Sequence, residues 1–193
     1  MLLLVIGLLI FFGVHLVPAN PKLRNDLRVR FGTMPYQIGF TVISFIGLGL
    51  IIYGYGKVQF LPAKNPQLWV PPIWSKHLLW TLMLPASILL AASTIPSRIR
   101  TAVGHPMLIA TMIWSGGHLL ANGSAAALLL FGTFLAWAIF DYTSVKWRNA
   151  KGPLGSREGT VTGDLIAIGI GGAFWAFMLW GGHGKLIGVP LMA

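Results

Sequence analysis

Residues 103–140 read VGHPMLIATMIWSGGHLLANGSAAALLLFGTFLAWAIF and contain no charged side chain. Two apolar runs, 103–120 and 124–140, are separated by little more than the pair Asn122-Gly123. Each run is close to the ~20 residues that an α-helix needs to cross ~30 Å of hydrocarbon. Asn-Gly is a strong turn signal. This stretch therefore predicts two antiparallel transmembrane helices joined by a tight turn.

Four more apolar runs flank this pair, at 2–17, 36–55, 77–94 and 162–180. The first and fifth runs are short for a span. Helix-breaking residues separate the runs: Pro18, Pro21, Pro62, Pro66, Pro71, Pro72, Pro96 and Gly152-Pro153. The sequence thus predicts an all-α, polytopic integral membrane protein, with about six transmembrane helices bundled in a single domain over 1–193.

The composition agrees with the bilayer as the main solvent. Of the 193 residues, 55% are hydrophobic and only 9% are charged, with a mean hydropathy of +0.75. Soluble domains carry about 25% charged residues, so a water-soluble globular protein is excluded. The chain has no cysteine, which excludes disulfides, thiolate metal sites, iron–sulfur clusters and covalently attached haem.

Positive charge is unevenly distributed along the chain. Lysine and arginine total 14 against 4 acidic residues, a net charge of +10. Ten of the 14 basic residues follow the first, third and fifth runs, which by the positive-inside rule makes those connectors cytoplasmic and both termini external. We expect these residues to set orientation and to contact anionic headgroups, and we expect no binding of nucleic acid.

The carboxylates give little support to transport or hydrolysis. Asp26, Asp141, Glu158 and Asp164 lie in or beside the basic connectors, where interfacial ion pairing is the favoured interpretation. A transporter coupled to protons or sodium usually carries an acidic group near the midplane. The chain also lacks the Gly-x-Ser-x-Gly pattern of serine hydrolases.

Histidines are the candidate functional residues. His15 and His118 are embedded in apolar runs, His105 precedes Pro106 at a helix start, and His77 follows Lys76. A protonatable side chain within a span indicates function, and haem ligation by neutral imidazole is a common one. The fifth histidine, His183, is interpreted as a loop residue. Trp114 lies on the same helix face as His118, where packing is the favoured role and lining of a haem pocket is the alternative.

Spacing limits which histidines can share a metal. His105 and His118 are 13 residues apart, roughly 20 Å along a helix and about 220° around it, so they cannot bind one ion together. If all six runs cross the membrane as simple spans, His15 lies at the same depth as His105, and His77 at the same depth as His118. Depth in the membrane therefore favours these two pairs.

Four motifs resemble the NnrU family of bacterial membrane proteins: GVHLVP (13–18), LWVPPIWSKHL (68–78), IPSRIR (95–100), and HPML with WSGGHLLANG (105–123). The resemblance covers most of the chain. It implies the bacterial inner membrane and a role in denitrification, in the expression or maturation of nitrite and nitric oxide reductases.

The NnrU family is in turn related to plant zeta-carotene isomerase, a haem b protein that isomerises a polyene in a redox-dependent way. By that resemblance His15 and His118 match the axial ligands, which makes them the candidate metal ligands, and His105 matches a further histidine. Ser115 stands where the isomerase has a cysteine. The pair implied by this resemblance, His15 with His118, disagrees with the pairs expected from depth in the membrane. Three explanations stay open: one of the helices is not a simple span, the transferred pair is wrong for this protein, or two haems bind.

Two functional hypotheses follow. The first is an inner-membrane haem b protein in nitrogen-oxide metabolism or cis-trans isomerisation, with other membrane redox proteins as partners; whether it is an enzyme stays open. The alternative is a non-enzymatic assembly factor for nitrite or nitric oxide reductase or another membrane complex, with Arg24, Arg28 and Arg30 as its contact surface.

Overall fold

Residues 1–152 and 154–191 are described by the computed structural model of this chain. Within them the backbone forms nine α-helices, a short 3-10 helix at Pro62–Lys64 and a π-helical turn at Met178–Gly182. In chain order the α-helices are α1 (Leu2–Ala19), α2 (Pro21–Phe31), α3 (Thr33–Val58), α4 (Ile73–Ala92), α5 (Arg98–Val103), α6 (Pro106–Ala121), α7 (Ala125–Trp147), α8 (Val161–Phe177) and α9 (His183–Ile187).

The prediction of an all-α, multi-pass membrane protein is confirmed. Helices α1, α3, α4, α7 and the segment Val161–Ile187 are long and apolar enough to cross a membrane. The fourth apolar run forms α6, which has only 16 residues. The expectation of a short fifth helix is wrong, because α7 continues through the polar residues after Phe140 and reaches 23 residues.

Two short helices lie in connectors that the sequence analysis treated as non-helical. Helix α2 begins at Asn20-Pro21, where the Asn20 side chain accepts a hydrogen bond from the Leu23 amide at 3.1 Å. Ser97 caps α5 in the same way, with its Oγ accepting from the Arg100 amide at 3.1 Å. Both are standard helix-start signals: a polar N-cap, and proline at the first helical position of α2.

Contacts within the chain divide it into two compact units. The first contains Met1–Trp69 with Ser124–Thr133, and the second contains Val70–Gly123 with the chain from Phe134 onward. In the first unit α1 packs on α3. The backbones approach closely at glycines, since a Cβ on Gly7 would lie 2.6 Å from the Ile51 amide nitrogen and one on Gly47 2.8 Å from that of Phe11.

The connector before α4 caps the start of α7 in the first unit. Asn65 is buried, and its Oδ1 accepts a hydrogen bond from the Ala126 amide at 2.8 Å. The neighbouring Ala125 amide donates to the Pro66 carbonyl at 3.0 Å. Because the first amides of a helix have no partner inside it, this loop satisfies groups that the α7 start would otherwise leave unpaired.

In the second unit α4 is the central helix and packs against both α6 and α8. The Trp175 indole of α8 donates to the Trp80 carbonyl of α4 at 2.8 Å. The Trp114 and Phe134 rings meet edge to face at 5.3 Å, so α6 contacts the second half of α7. Trp114 and Phe134 lie at similar sequence separations before and after the Asn122-Gly123 connector, as expected for the predicted helical hairpin.

Candidate functional site

His15 lies near the end of α1, between aromatic rings. Its Nδ1 is 2.6 Å from the carbonyl oxygen of Phe11, one turn earlier. The imidazole stacks on the Phe11 ring with centroids 4.1 Å apart, and its centroid is 5.1 Å from that of Phe40 in α3. The side chain is half-buried. The ring orientation of His15 is thus set by its own helix and by α3.

His118 lies in the last turn of α6 and repeats this arrangement in the second unit. Its Nδ1 is 2.8 Å from the carbonyl oxygen of Trp114, again one turn earlier. The Trp114 and His118 rings have centroids 5.3 Å apart. Asn122, in the connector to α7, donates to the His118 carbonyl at 2.8 Å. The interpretation of Trp114 as a packing residue on the same face as His118 agrees with its contact to Phe134.

The shared hydrogen bond determines where each imidazole carries its proton. A carbonyl oxygen can only accept, so Nδ1 of His15 and of His118 must donate. In a neutral imidazole the lone pair then lies on Nε2, the nitrogen available for a metal. Metal-bound histidines usually donate their other ring nitrogen to a carbonyl or carboxylate in this manner.

His105 lies at the N-cap of α6 and lines a cavity of about 260 Å³ in the second unit. Arg100, Asp141 and Lys151 also line this cavity. Burial lowers the pKa of His105 and the positive charge of Lys146 lowers it further, while Asp141 and a backbone hydrogen bond at Ala150 raise it. The imidazole therefore favours its neutral form, although this site is built differently from those of His15 and His118.

The Arg100 guanidinium ties α5 to the connector after α7. It is buried and donates to the Gly155 carbonyl at 3.3 Å and to the Arg157 carbonyl. Asp164, for which ion pairing was expected, has an Oδ1 that accepts from the Ile99 amide at 2.9 Å. These contacts give Arg100 and Asp164 structural roles around the short helix α5.

His77 lies on the first turns of α4 and is exposed. The His77 ring meets the Trp80 ring edge to face, with centroids 5.1 Å apart.

Across residues 1–152 and 154–191, no three His, Asp or Glu side chains lie close enough to hold one metal ion. His105 and His118 occupy opposite ends of the same helix, as expected. The pairs based on membrane depth stay predictions.

His183 has a more specific environment than the loop position assigned to it. It begins α9, directly after the π-helical turn, in which Gly181 has a φ of 140°. Its Nδ1 is 2.7 Å from the Val189 carbonyl oxygen. The pair Gly181-Gly182 was the available sequence signal, because glycine permits the positive φ at which the helix kinks here.

Ser115 is fully buried, and its Oγ donates to the Thr111 carbonyl at 2.6 Å. The hydroxyl is therefore satisfied within α6, three residues before His118 and on the buried side of the helix.

Comparison with known proteins identifies the family. The family model described as NnrU protein matches residues 3–191, a range that includes His15, His77, His105 and His118. No curated protein and no solved structure matches the chain. The match covers nearly the whole sequence and agrees with the resemblance seen in its motifs. The chain therefore belongs to the NnrU family.

Proposed function

We propose that this protein is a membrane haem b protein in which Nε2 of His15 and Nε2 of His118 are iron ligands. The observation that carries the proposal is the arrangement that both histidines share. Each imidazole lies within an apolar helix and donates Nδ1–H to the carbonyl of the residue four positions earlier, which is aromatic in both cases. This hydrogen bond fixes the tautomer and the ring orientation before any ligand binds.

The residues around each histidine suit a porphyrin. Haem iron takes at most two protein ligands, because the porphyrin nitrogens occupy its other four positions. Phe11 and Phe40 beside His15, and Trp114 beside His118, offer flat apolar surfaces for macrocycle packing. Attachment would be non-covalent, as in b-type haem, because the chain has no cysteine for thioether bonds.

Bound haem supplies one-electron redox chemistry. The chain's own contribution is to hold neutral imidazoles in fixed orientations and to keep water from them with aromatic side chains and lipid, which together set the potential. We propose that this chemistry serves nitrogen-oxide metabolism or redox-dependent cis-trans isomerisation in the bacterial inner membrane, the roles implied by the family resemblance. Both termini are proposed to be periplasmic.

Haem content of the purified protein tests the proposal. After expression with added haem, the wild type should show a Soret band and a b-type pyridine haemochrome spectrum. His15→Ala and His118→Ala should each lose haem. A ratio of one haem per chain, with loss in both variants, assigns one iron to the pair, whereas two haems per chain, with half lost in each variant, assigns separate sites.

Matched variants separate ligation from folding. His77→Ala removes an exposed imidazole and should retain wild-type haem content, and all variants should keep their helicity and elution volume in detergent. A wild type that binds no haem under these conditions contradicts the proposal. So does a pair of folded His15→Ala and His118→Ala variants with full haem content.

Helix α2 supports a second candidate, a non-enzymatic assembly factor for a reductase. Its Arg30 and Val29 are exposed, and Val29 is 87% accessible. The expected contact is with an acidic surface of a membrane complex. Arg30→Glu should abolish recovery of that complex while haem and fold persist. Unchanged recovery contradicts this candidate.

A further inference from the structure

A second cavity, of about 550 Å³, lies in the first unit where α1, α2 and α3 meet. Its lining includes Arg24 and Arg28 from α2, Tyr36, Gln37 and Phe40 from α3, and Pro18 from α1. The described lining contains two cations and no carboxylate. By charge the cavity is therefore suited to an anion.

Arg24 shows that this charge is not fully satisfied by the protein. Its Nε is buried and has no hydrogen-bond partner among the described residues. In the described part of the chain, Arg28 makes only a long contact, from Nη2 to the Thr33 hydroxyl at 3.5 Å. A buried donor without an acceptor costs free energy, and more so when the group is charged. An anionic ligand in the cavity would remove that cost.

The cavity adjoins His15. Phe40 lines it and also lies with its ring centroid 5.1 Å from that of His15. Pro18, another lining residue, follows His15 by three positions on α1, which places the two on neighbouring parts of one helix face. A ligand held by His15 would thus have its edge near the two arginines.

We propose that Arg24 and Arg28 bind the propionate carboxylates of the haem held by His15. The inference rests on the proposed function, because it needs haem at His15. Arginine is suited to this task, since its planar guanidinium binds carboxylates through paired, charge-assisted hydrogen bonds. The phosphate of an anionic phospholipid offers the same chemistry, and the experiment separates the two sources.

The test compares haem with haem dimethyl ester, in which both carboxylates are masked. Soret titrations of the apoprotein in detergent give an affinity for each ligand. The wild type should bind haem about tenfold or more tightly than the ester, as expected for loss of charge-assisted hydrogen bonds. Arg24→Gln/Arg28→Gln should bind both ligands with similar affinity, while its Soret position stays unchanged because His15 is intact.

Arg30→Gln is the matched control. Arg30 lies on the same helix but does not line the cavity, and its Cζ is 5.4 Å from the centroid of the Phe31 ring. This variant should therefore keep the wild-type preference for haem over the ester. Arg24→Lys/Arg28→Lys retains the charge without the planar donor pair and should show an intermediate preference. The wild-type comparison needs no substitution and stands even if the double variants fold poorly.

Four results would overturn the inference. A wild type that binds haem and its ester equally shows that the carboxylates are not recognised, with the proposed function intact. If Arg24→Gln/Arg28→Gln keeps the full preference for haem over the ester, the propionate carboxylates bind away from these two arginines. Anionic phospholipid seen by native mass spectrometry on the wild type and lost from that variant, with haem preference unchanged, assigns the cavity to lipid. Absence of any Soret band overturns the proposed function and the inference together.

Discussion

At the residue scale, each of the two candidate ligands, His15 and His118, makes one hydrogen bond that fixes its tautomer. Imidazole has two nitrogens, and in a helix the nearest acceptor is the carbonyl one turn earlier. In His15 and His118 the bond is made by Nδ1, at 2.6 and 2.8 Å. In the neutral imidazole the lone pair therefore lies on Nε2, the nitrogen available to a metal.

His105 provides a test of the local electrostatics. Because burial and Lys146 lower its pKa below the ordinary 6.5, less than half of His105 should be protonated at that pH. Lys146→Gln removes a positive charge and should raise the pKa, whereas Asp141→Asn removes a negative charge and should lower it. NMR titration of labelled histidine measures both shifts. Lys185→Gln is the control, and a similar shift in that variant would contradict this assignment.

The candidate site was only partly predictable from single residues. His15 and His118 stand out because each interrupts an apolar run, and their aromatic neighbours Phe11 and Trp114 are visible in the sequence. His183 does not stand out, because its position at the start of α9 depends on the kink at Trp180 and Gly181, which apolar patterning does not show. Phe40 was equally hidden, since its contact with His15 joins two helices.

At the element scale, the α1–α3 pair depends on glycine at the points of closest approach. Gly7 and Gly47 meet backbone atoms of the opposite helix, whereas a Cβ on Gly49 would find nothing within 4 Å. Gly47 therefore lies on the packing face of α3, whereas Gly49, in the same helix, does not. Composition alone could not separate the two.

Substitution at these positions should have opposite effects. Gly47→Ala places a methyl group against the Phe11 backbone and should destabilise the protein by about 1–3 kcal/mol, the usual cost of overpacking. Gly49→Ala meets no neighbour and should be neutral or stabilising by up to about 1 kcal/mol, the gain in helix propensity. Thermal unfolding in detergent, followed by circular dichroism, gives the two midpoints. Equal midpoints would contradict the packing described for α1 and α3.

The apolar pattern predicts the long helices, but it does not predict the short basic helix α2 or the end of α7. The apolar runs located every long helix, because hydrocarbon requires continuous apolar side chains and satisfied backbone groups. Helix α2 was missed because its basic residues resemble a solvated loop, although Asn20-Pro21 signals a helix start. Helix α7 extends to Trp147 because Lys146 and Trp147 can reach the interface while their backbone stays helical.

At the scale of the whole molecule, the bilayer replaces water as the solvent for most of the surface. Exposed apolar residues such as Leu9, Phe45 and Leu165 therefore need no further explanation, since lipid covers them. Orientation then depends on the charged connectors, and from the charge bias we predict that those after α1, α4 and α7 face the cytoplasm.

Single cysteines test this orientation, because the natural chain has none. Ala63→Cys lies in the exposed connector before α4 and should react with a membrane-impermeant maleimide added to intact spheroplasts. Ser156→Cys, in the exposed connector after α7, should react only after the membrane is opened. Leu165→Cys faces lipid within α8 and should resist labelling in both conditions. Labelling of Ser156→Cys in intact spheroplasts would reverse the topology.

Whether histidine Nε2 atoms bind haem iron in this protein is decided by the contact between the iron and its ligands. Pulsed EPR of the ferric protein, grown with ¹⁵N-labelled histidine and added haem, measures iron–ligand contact directly. We expect a haem signal coupled to histidine ¹⁵N, with that coupling lost or altered in His15→Ala and in His118→Ala and preserved in His77→Ala. A ferric haem signal without histidine coupling, or no haem signal at all, would contradict this expectation.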